Sequence, residues 1–256
     1  MEKGMTPPIT STDGIKGFYD DPQVVEKYIE KRIIHPLGSV LHELQLAFLR
    51  RTVSRFPITR VLDLASGPGR LSAEFKAPGL SVAIDFSLNM LKEARQRTVA
   101  TGNNWHLLQG DGFVLPFAPE NFDFIYSTRF VRRFDRARRD VLYREIRRVL
   151  RPNGFFVMDA QNRAVSLPHR KAQGLEKYPV YDELFLRDEL INELEENGFR
   201  VIQIEGLMRR FPLQFRCNRL RRLRLSALAR LLIRALEHTH DRNPSTWMVL
   251  CQKSKA

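Results

Sequence analysis

The sequence predicts an α/β fold: a seven-stranded, mostly parallel, doubly wound sheet with helices on both faces. Two observations carry that prediction. After Pro57 short apolar runs recur at RVLDLA, LSVAID, NWHLLQ, FDFIYS and GFFVMDA, and most are separated by runs of helical periodicity such as SLNMLKEARQRTVA and DVLYREIRRVL. Alternation of this kind argues for parallel strands joined by helical crossovers. The strands also end on acids or glycine turns, at Asp63, Asp85 and Gly110-Asp111-Gly112. In a doubly wound sheet those carboxyl ends are where a ligand lies.

The elements follow in order. Residues 1–14 are rich in Pro, Thr and Ser and read as mobile. Asp20-Asp21-Pro22 is a helix start, an acidic cap with Pro in the first turn, leading into QVVEKYIEKRII. A second helix runs from about Ser39 to Phe56, with Val40, Leu44, Leu46, Ala47 and Leu49 as its apolar face. Residues 1–56 thus form a tail and helical lid, and 57–256 the main domain. After the fifth strand, FLRDELINELEENGFR is a helix ended by Asn197-Gly198. FRVIQIEGL reads as the sixth strand and STWMVLCQK as the seventh, with a basic helical insertion at about 207–243 between them.

Composition narrows the class. At 256 residues, with 43% hydrophobic and 10% aromatic content, the chain suits one large domain plus an elaboration. MEKGMTPPITSTDG lacks the apolar centre of a secretion signal, and no run of about 18 apolar residues offers a membrane span, so a cytoplasmic location is expected. Cys217 and Cys251 stand far apart without paired Cys or His ligands, which points away from a disulfide framework or a metal site. The net charge is +13. It clusters: residues 129–151 carry ten Arg against Asp135, Asp140 and Glu145, and residues 206–256 carry ten Arg and two Lys against Glu237 and Asp241. Such faces suit an anionic partner or a solvated surface.

VLDLASGPGR carries the first chemical signal. A dinucleotide binder would want a third glycine and room for a pyrophosphate at the helix start. Here an acid, Asp63, stands where that anion would approach, and Gly67 and Gly69 let the backbone pass close to a ligand. Asp85 is placed to accept both hydroxyls of a ribose, and Asp111 to accept from an adenine amino group. Three acids at successive strand ends suit a nucleoside that carries positive charge and no phosphate.

In VLDLASGPGR, VAIDFSLNML, QGDGFVLPF, FDFIYS, YREIRRVLRPNGFFVM and ENGF, in that order and spacing, the chain resembles the class I S-adenosylmethionine-dependent methyltransferases, in particular the small-molecule branch that includes the quinone-biosynthesis enzymes. The resemblance runs from roughly Asp20 to the end. It implies a Rossmann-like class I methyltransferase fold and S-adenosylmethionine as cofactor. It further implies that Asp63 and the backbone of Ala65, Ser66 and Gly67 hold the methionine portion, and that Asp85 binds the ribose. Phe86, Met90, Asp111 and Gly112 would surround the adenine, with the main chain of Ser127 near the methionine end. Ala65 departs from the glycine usual in the family. Arg132 and Arg133 stand where relatives often have histidines near the methyl acceptor.

Arginine stays protonated at neutral pH and so is no general base, but it binds carboxylate or phosphate bidentately. With Tyr19 from the lid, Arg132 and Arg133 are the candidate acceptor residues. The expected reaction is methyl transfer to a small acceptor, lipophilic or anionic. The alternatives are an RNA methyltransferase using the arginine clusters and a non-catalytic S-adenosylmethionine-binding subunit. In RLRRLRLSALARLLIRALEHTH, one helix would put Arg219, Arg222, Ser226, Arg230 and Arg234 on one stripe and leucines opposite. That pattern admits peripheral contact with an anionic membrane, or packing on the domain with the arginines in water. Nucleic acid is the weaker partner, since the segment has few aromatics for stacking bases.

Overall fold

The computed structural model describes residues 7–239 and 243–254. Residues 1–6 of the tail expected to be mobile, and His240 at the end of the expected arginine helix, lie outside that range. Three helices come first: α1 (Thr12–Asp20), α2 (Pro22–Ile29), which runs into a π turn at Glu30–Ile34, and α3 (Pro36–Arg55). The Asp21 carboxylate accepts from the Gln23 amide at 2.8 Å, so the Asp-Pro start caps α2 as the sequence predicts. α1 corrects the reading of residues 1–14 as mobile. Ser11 caps it, accepting from the Gly14 amide at 3.2 Å. Ile15 then buries against Phe134, Leu142 and Val180. That burial outweighs the poor helix propensity of Gly14 and Gly17.

The sheet is built from β1 (Arg60–Leu64), β2 (Leu80–Asp85), β3 (His106–Gln109), β4 (Phe122–Ser127), β5 (Leu150–Asn162), the two-residue β6 (Leu184–Phe185), β7 (Phe199–Leu207) and β8 (Thr246–Lys253). Its order is β3-β2-β1-β4-β5-β8-β7, with β6 pairing only to β5. The first five strands are mutually parallel, and β8 runs antiparallel between β5 and β7. The crossovers use α4 (Leu88–Ala100), α5 (Arg136–Val149), α6 (Arg163–Gln173) and α7 (Arg187–Glu196). α6, with Pro168 inside it, has no counterpart among the predicted helices; Asn162 caps it, accepting from the Ala164 amide at 3.0 Å.

Strand alternation divides the core between the two faces of the sheet. Leu62, Leu64, Phe156 and Met158 pack with Tyr143 and Ile146 of α5 and Leu190 and Leu194 of α7. Val61, Phe124, Tyr126 and Val157 pack with Val40, Phe48 and Leu49 of α3. Both faces are covered, as parallel strands require.

The basic insertion differs from the single helix predicted. It forms α8 (Phe211–Cys217), a 3-10 turn at Asn218–Leu223, and α9 (Ser226–Glu237). Arg224 turns the chain at φ 61°, so Arg219 and Arg222 do not share a helix with Arg230 and Arg234. The last two both grip Glu43 on α3. Ala229 and Ile233 face the core, while Leu228 and Leu231 of the expected apolar face point outward, Leu231 being 64% exposed.

Candidate active site

The carboxyl ends of β1, β2 and β4 open into a pocket of about 90 Å³. Ala65, Gly67, Asp85 and Asp111 form its base, and Ile15, Lys16 and Tyr19 of α1 close over it. A recess of about 30 Å³ leads on to Asp63 and Ser66. The glycine turn after β1 sets the shape. Ala65 (φ 58°), Gly67 (φ 55°) and Gly69 (φ 67°) all adopt left-handed backbone. A Cβ on Gly67 would meet nothing within 4 Å, so that side of the turn is open to a ligand. A Cβ on Gly69 would sit 2.9 Å from Ala94 Cα, so this glycine serves the packing of the turn against α4.

Each acid has a distinct environment. Asp85 accepts from the Gly67 amide at 2.7 Å and the Ser87 amide at 2.9 Å. Burial nevertheless pushes its pKa up to about 6. Burial raises Asp63 to about 7, against the Tyr126 hydroxyl that donates to it at 2.8 Å and the charge of buried Arg70. Asp111 takes Lys16 Nζ at 2.7 Å, and the same ammonium lies 4.5 Å from the centroid of the Phe86 ring. The buried Ser66 Oγ has no hydrogen-bond partner among the described residues.

A second cavity, of about 260 Å³, adjoins the pocket. Tyr19, Arg129 and Arg133 line both. Arg129 also lines the recess at Asp63. Its amide donates to Asp159 Oδ1 at 2.5 Å, and its backbone is left-handed at φ 61°. Seven Lys and Arg side chains but only two carboxylates, Asp159 and Asp182, line this cavity.

A family profile described as a methyltransferase domain matches residues 61–154, the span from β1 into β5 that carries the pocket's acids. Over that span the chain is similar to methyltransferase domains. It is 40% identical over 106 residues to a demethylmenaquinone methyltransferase of Corynebacterium kroppenstedtii, covering 41% of this chain and 43% of that relative. It is 27% identical over 203 residues to that of Renibacterium salmoninarum, covering 78% of each. Matches to several curated relatives span only about half of their length. The fold is shared with magnesium protoporphyrin IX methyltransferase of Synechocystis, solved with bound SAH, at a TM-score of 0.66 and 13% identity over 95% of this chain and all of that one.

In this chain Ala65, Gly67, Asp85, Phe86, Met90, Asp111 and Gly112 line the main pocket. Asp63 and Ser66 reach it through the recess. Ser127 lies behind the wall, its Oγ donating to the Leu64 carbonyl at 2.8 Å, and Thr128 lines the pocket instead. Arg132 and Arg133 both line the second cavity; the Arg132 guanidinium is bound to Asp182 and lies 3.5 Å from Asp159, so its charge is met largely within the protein.

Three contributors were not anticipated. Lys16 comes from the lid, and Arg129 sits just past the end of β4, ahead of the arginines singled out. Arg70, the last residue of VLDLASGPGR, is buried between His42 Nδ1 at 2.9 Å and Thr128 Oγ1 at 3.1 Å. An arginine inside a glycine-turn motif was a visible signal for Arg70; Lys16 left none, because α1 itself reads as tail.

Proposed function

We propose that the protein is a methyltransferase that binds S-adenosylmethionine in the 90 Å³ pocket and transfers its methyl group to a small acceptor in the adjoining 260 Å³ cavity. The observation that carries the reading is the set of buried or half-buried acids at three strand ends, Asp63, Asp85 and Asp111, around an open glycine turn. The donor set fits the cofactor. Asp85 can accept ribose hydroxyls with its remaining lone pairs, and Gly67 admits close approach of the amino acid portion. The orphan Ser66 Oγ and Asp63 offer partners to its polar end. Phe86, 44% exposed in the pocket, and buried Met90 supply flat apolar contacts for adenine. Lys16 occupies the Asp111 carboxylate that the adenine amino group would meet, so this binding mode requires Lys16 to move aside as adenine enters.

When bound, the cofactor supplies a sulfonium carbon that is already electrophilic. The chain's own residues then have to position and to exclude water. Tyr19 and Tyr28 close the roof, and α1 and α2 act as the lid, while α3 packs on the sheet. The acceptor faces the cofactor past Arg129 and Arg133, which line both spaces. Support for a small-molecule acceptor comes from relatives named as demethylmenaquinone methyltransferases. Calorimetry with S-adenosylmethionine tests the reading. Binding by the parent and its loss in Asp85→Ala are expected, and no binding by the parent overturns it.

A further inference from the structure

Charge in the 260 Å³ cavity is unevenly spent. Asp182 is consumed by Arg132 and Arg170, with Arg133 at 3.5 Å. Asp159 is consumed by the Arg129 amide and the edge of Arg132. What remains is cationic. Arg129 points a buried Nη1 that has no hydrogen-bond partner among the described residues. The side chain of Arg32, exposed on the π turn at the cavity's edge, makes no ion pair or hydrogen bond among them either. Arg32 lines the cavity with Arg129 and Arg133; desolvation by the surrounding protein lowers its pKa and their charges lower it further, while Tyr28 and Tyr19 oppose the fall. Leaving a charged donor buried and unpaired is costly, so a site that keeps one is built for a group that completes it.

We infer that this cavity is a carboxylate-binding site whose ligand is a small organic acid with an apolar body, its carboxylate held by Arg129 and Arg32. A guanidinium fork matches a planar carboxylate bidentately. The Arg129 backbone is pinned in place, because its left-handed conformation is unfavourable for a residue with a Cβ and is fixed by the bond to Asp159. Part of the wall is apolar. Leu37, Leu41, Phe211 and Phe215 line it, and His169 stacks edge-on to the two phenylalanines at 4.9 and 4.5 Å. Burial and Arg170 keep the His169 pKa below its ordinary value, so it adds apolar surface rather than charge at neutral pH. Arg129 lines the donor pocket as well, so the carboxylate end of the ligand lies toward the cofactor. That this acid is the methyl acceptor rests on the function proposed above; the anion site itself does not.

The test is calorimetry on the whole chain at low salt, with benzoate, benzamide and phenyl phosphate as probes, and S-adenosylhomocysteine titrated separately. Benzoate is expected to bind and benzamide, the same ring without charge, to fail. Two substitutions remove the anchors. Arg129→Gly deletes the guanidinium with a residue that favours the left-handed backbone, and Arg32→Ala removes a side chain that leaves no partner stranded. Each should weaken benzoate about tenfold or more, the value of a charge-assisted hydrogen bond, and Arg32→Ala should leave S-adenosylhomocysteine binding unchanged. Equal binding of benzamide, binding of phenyl phosphate alone, or benzoate binding unaffected by both substitutions overturns the inference. Failure of S-adenosylhomocysteine to bind while benzoate binds sinks the methyltransferase reading and leaves the anion site standing.

Discussion

Lys16 Nζ donates to Asp111 Oδ2 at 2.7 Å, so a residue of the lid holds the acid on which an adenine amino group would settle. Both side chains are partly exposed, 19% and 34%, which makes the pair weak, about 0.5–1 kcal/mol. Lys16→Ala is therefore expected to tighten S-adenosylhomocysteine roughly two- to fivefold by removing the competitor. Weaker binding in calorimetry would mean that Lys16 helps to hold the ligand instead.

The two buried acids give the site a pH dependence. Burial raises Asp63 to about 7 and Asp85 to about 6, so the folded chain holds these protons more tightly than the unfolded one. They favour the fold below about pH 4, and that contribution is withdrawn as pH rises to about 7. Cofactor binding has the opposite sense, because a cation and ribose hydroxyls prefer ionised carboxylates. Affinity for S-adenosylmethionine should rise from about pH 5 and level off above about pH 7. A profile that is flat over this range in the parent contradicts the assignment.

Ala65 carries a Cβ at φ 58°, in the region glycine prefers. Ala65→Gly is expected to stabilise the protein by about 1 kcal/mol, the strain relieved less the added freedom of the unfolded chain. In a chain of this size that is about 2–4 °C in Tm. Thermal unfolding checks it, and a lowered Tm would mean that the methyl group packs usefully.

Asp182 is the counter-charge for Arg132 and Arg170 in a nearly closed setting, and together with Arg133 they hold its pKa down at about 2 despite burial. Asp182→Asn strands those arginines and should cost about 3–5 kcal/mol, read as a lower urea midpoint. A carboxylate depressed in this way stabilises the fold above its unfolded pKa of about 4, and the contribution is lost as pH falls toward 2. The parent's acid unfolding should therefore be steeper than that of the variant.

Most of the sheet was legible because strand ends announce themselves twice, by an apolar run and by the acid or glycine that follows. Asp63, Asp85 and Asp111 were found that way. α1 was hidden because its two glycines and polar flank read as tail, while its stability comes from Ile15 packing on residues more than a hundred positions away. Arg132 and Arg133 looked alike in sequence and both line the second cavity; only the arrival of Asp182 from the segment after α6, which Arg132 binds more closely than Arg133, tells them apart. The insertion misled for a related reason. Its periodicity was helical, but Arg224 breaks the run with a left-handed residue that no Gly or Pro advertises.

The position of β8 has a consequence for how the chain comes to be folded. Residues 246–253 are inserted between β5 and β7 and hydrogen-bond to both. A nascent chain still holding those residues in the ribosomal tunnel has synthesised every strand of the pocket, yet β7 has no neighbour to pair with. Completion of the sheet waits until residues 246–253 have left the tunnel, with β5 meanwhile presenting an unpaired edge that a chaperone or a second nascent chain could reach.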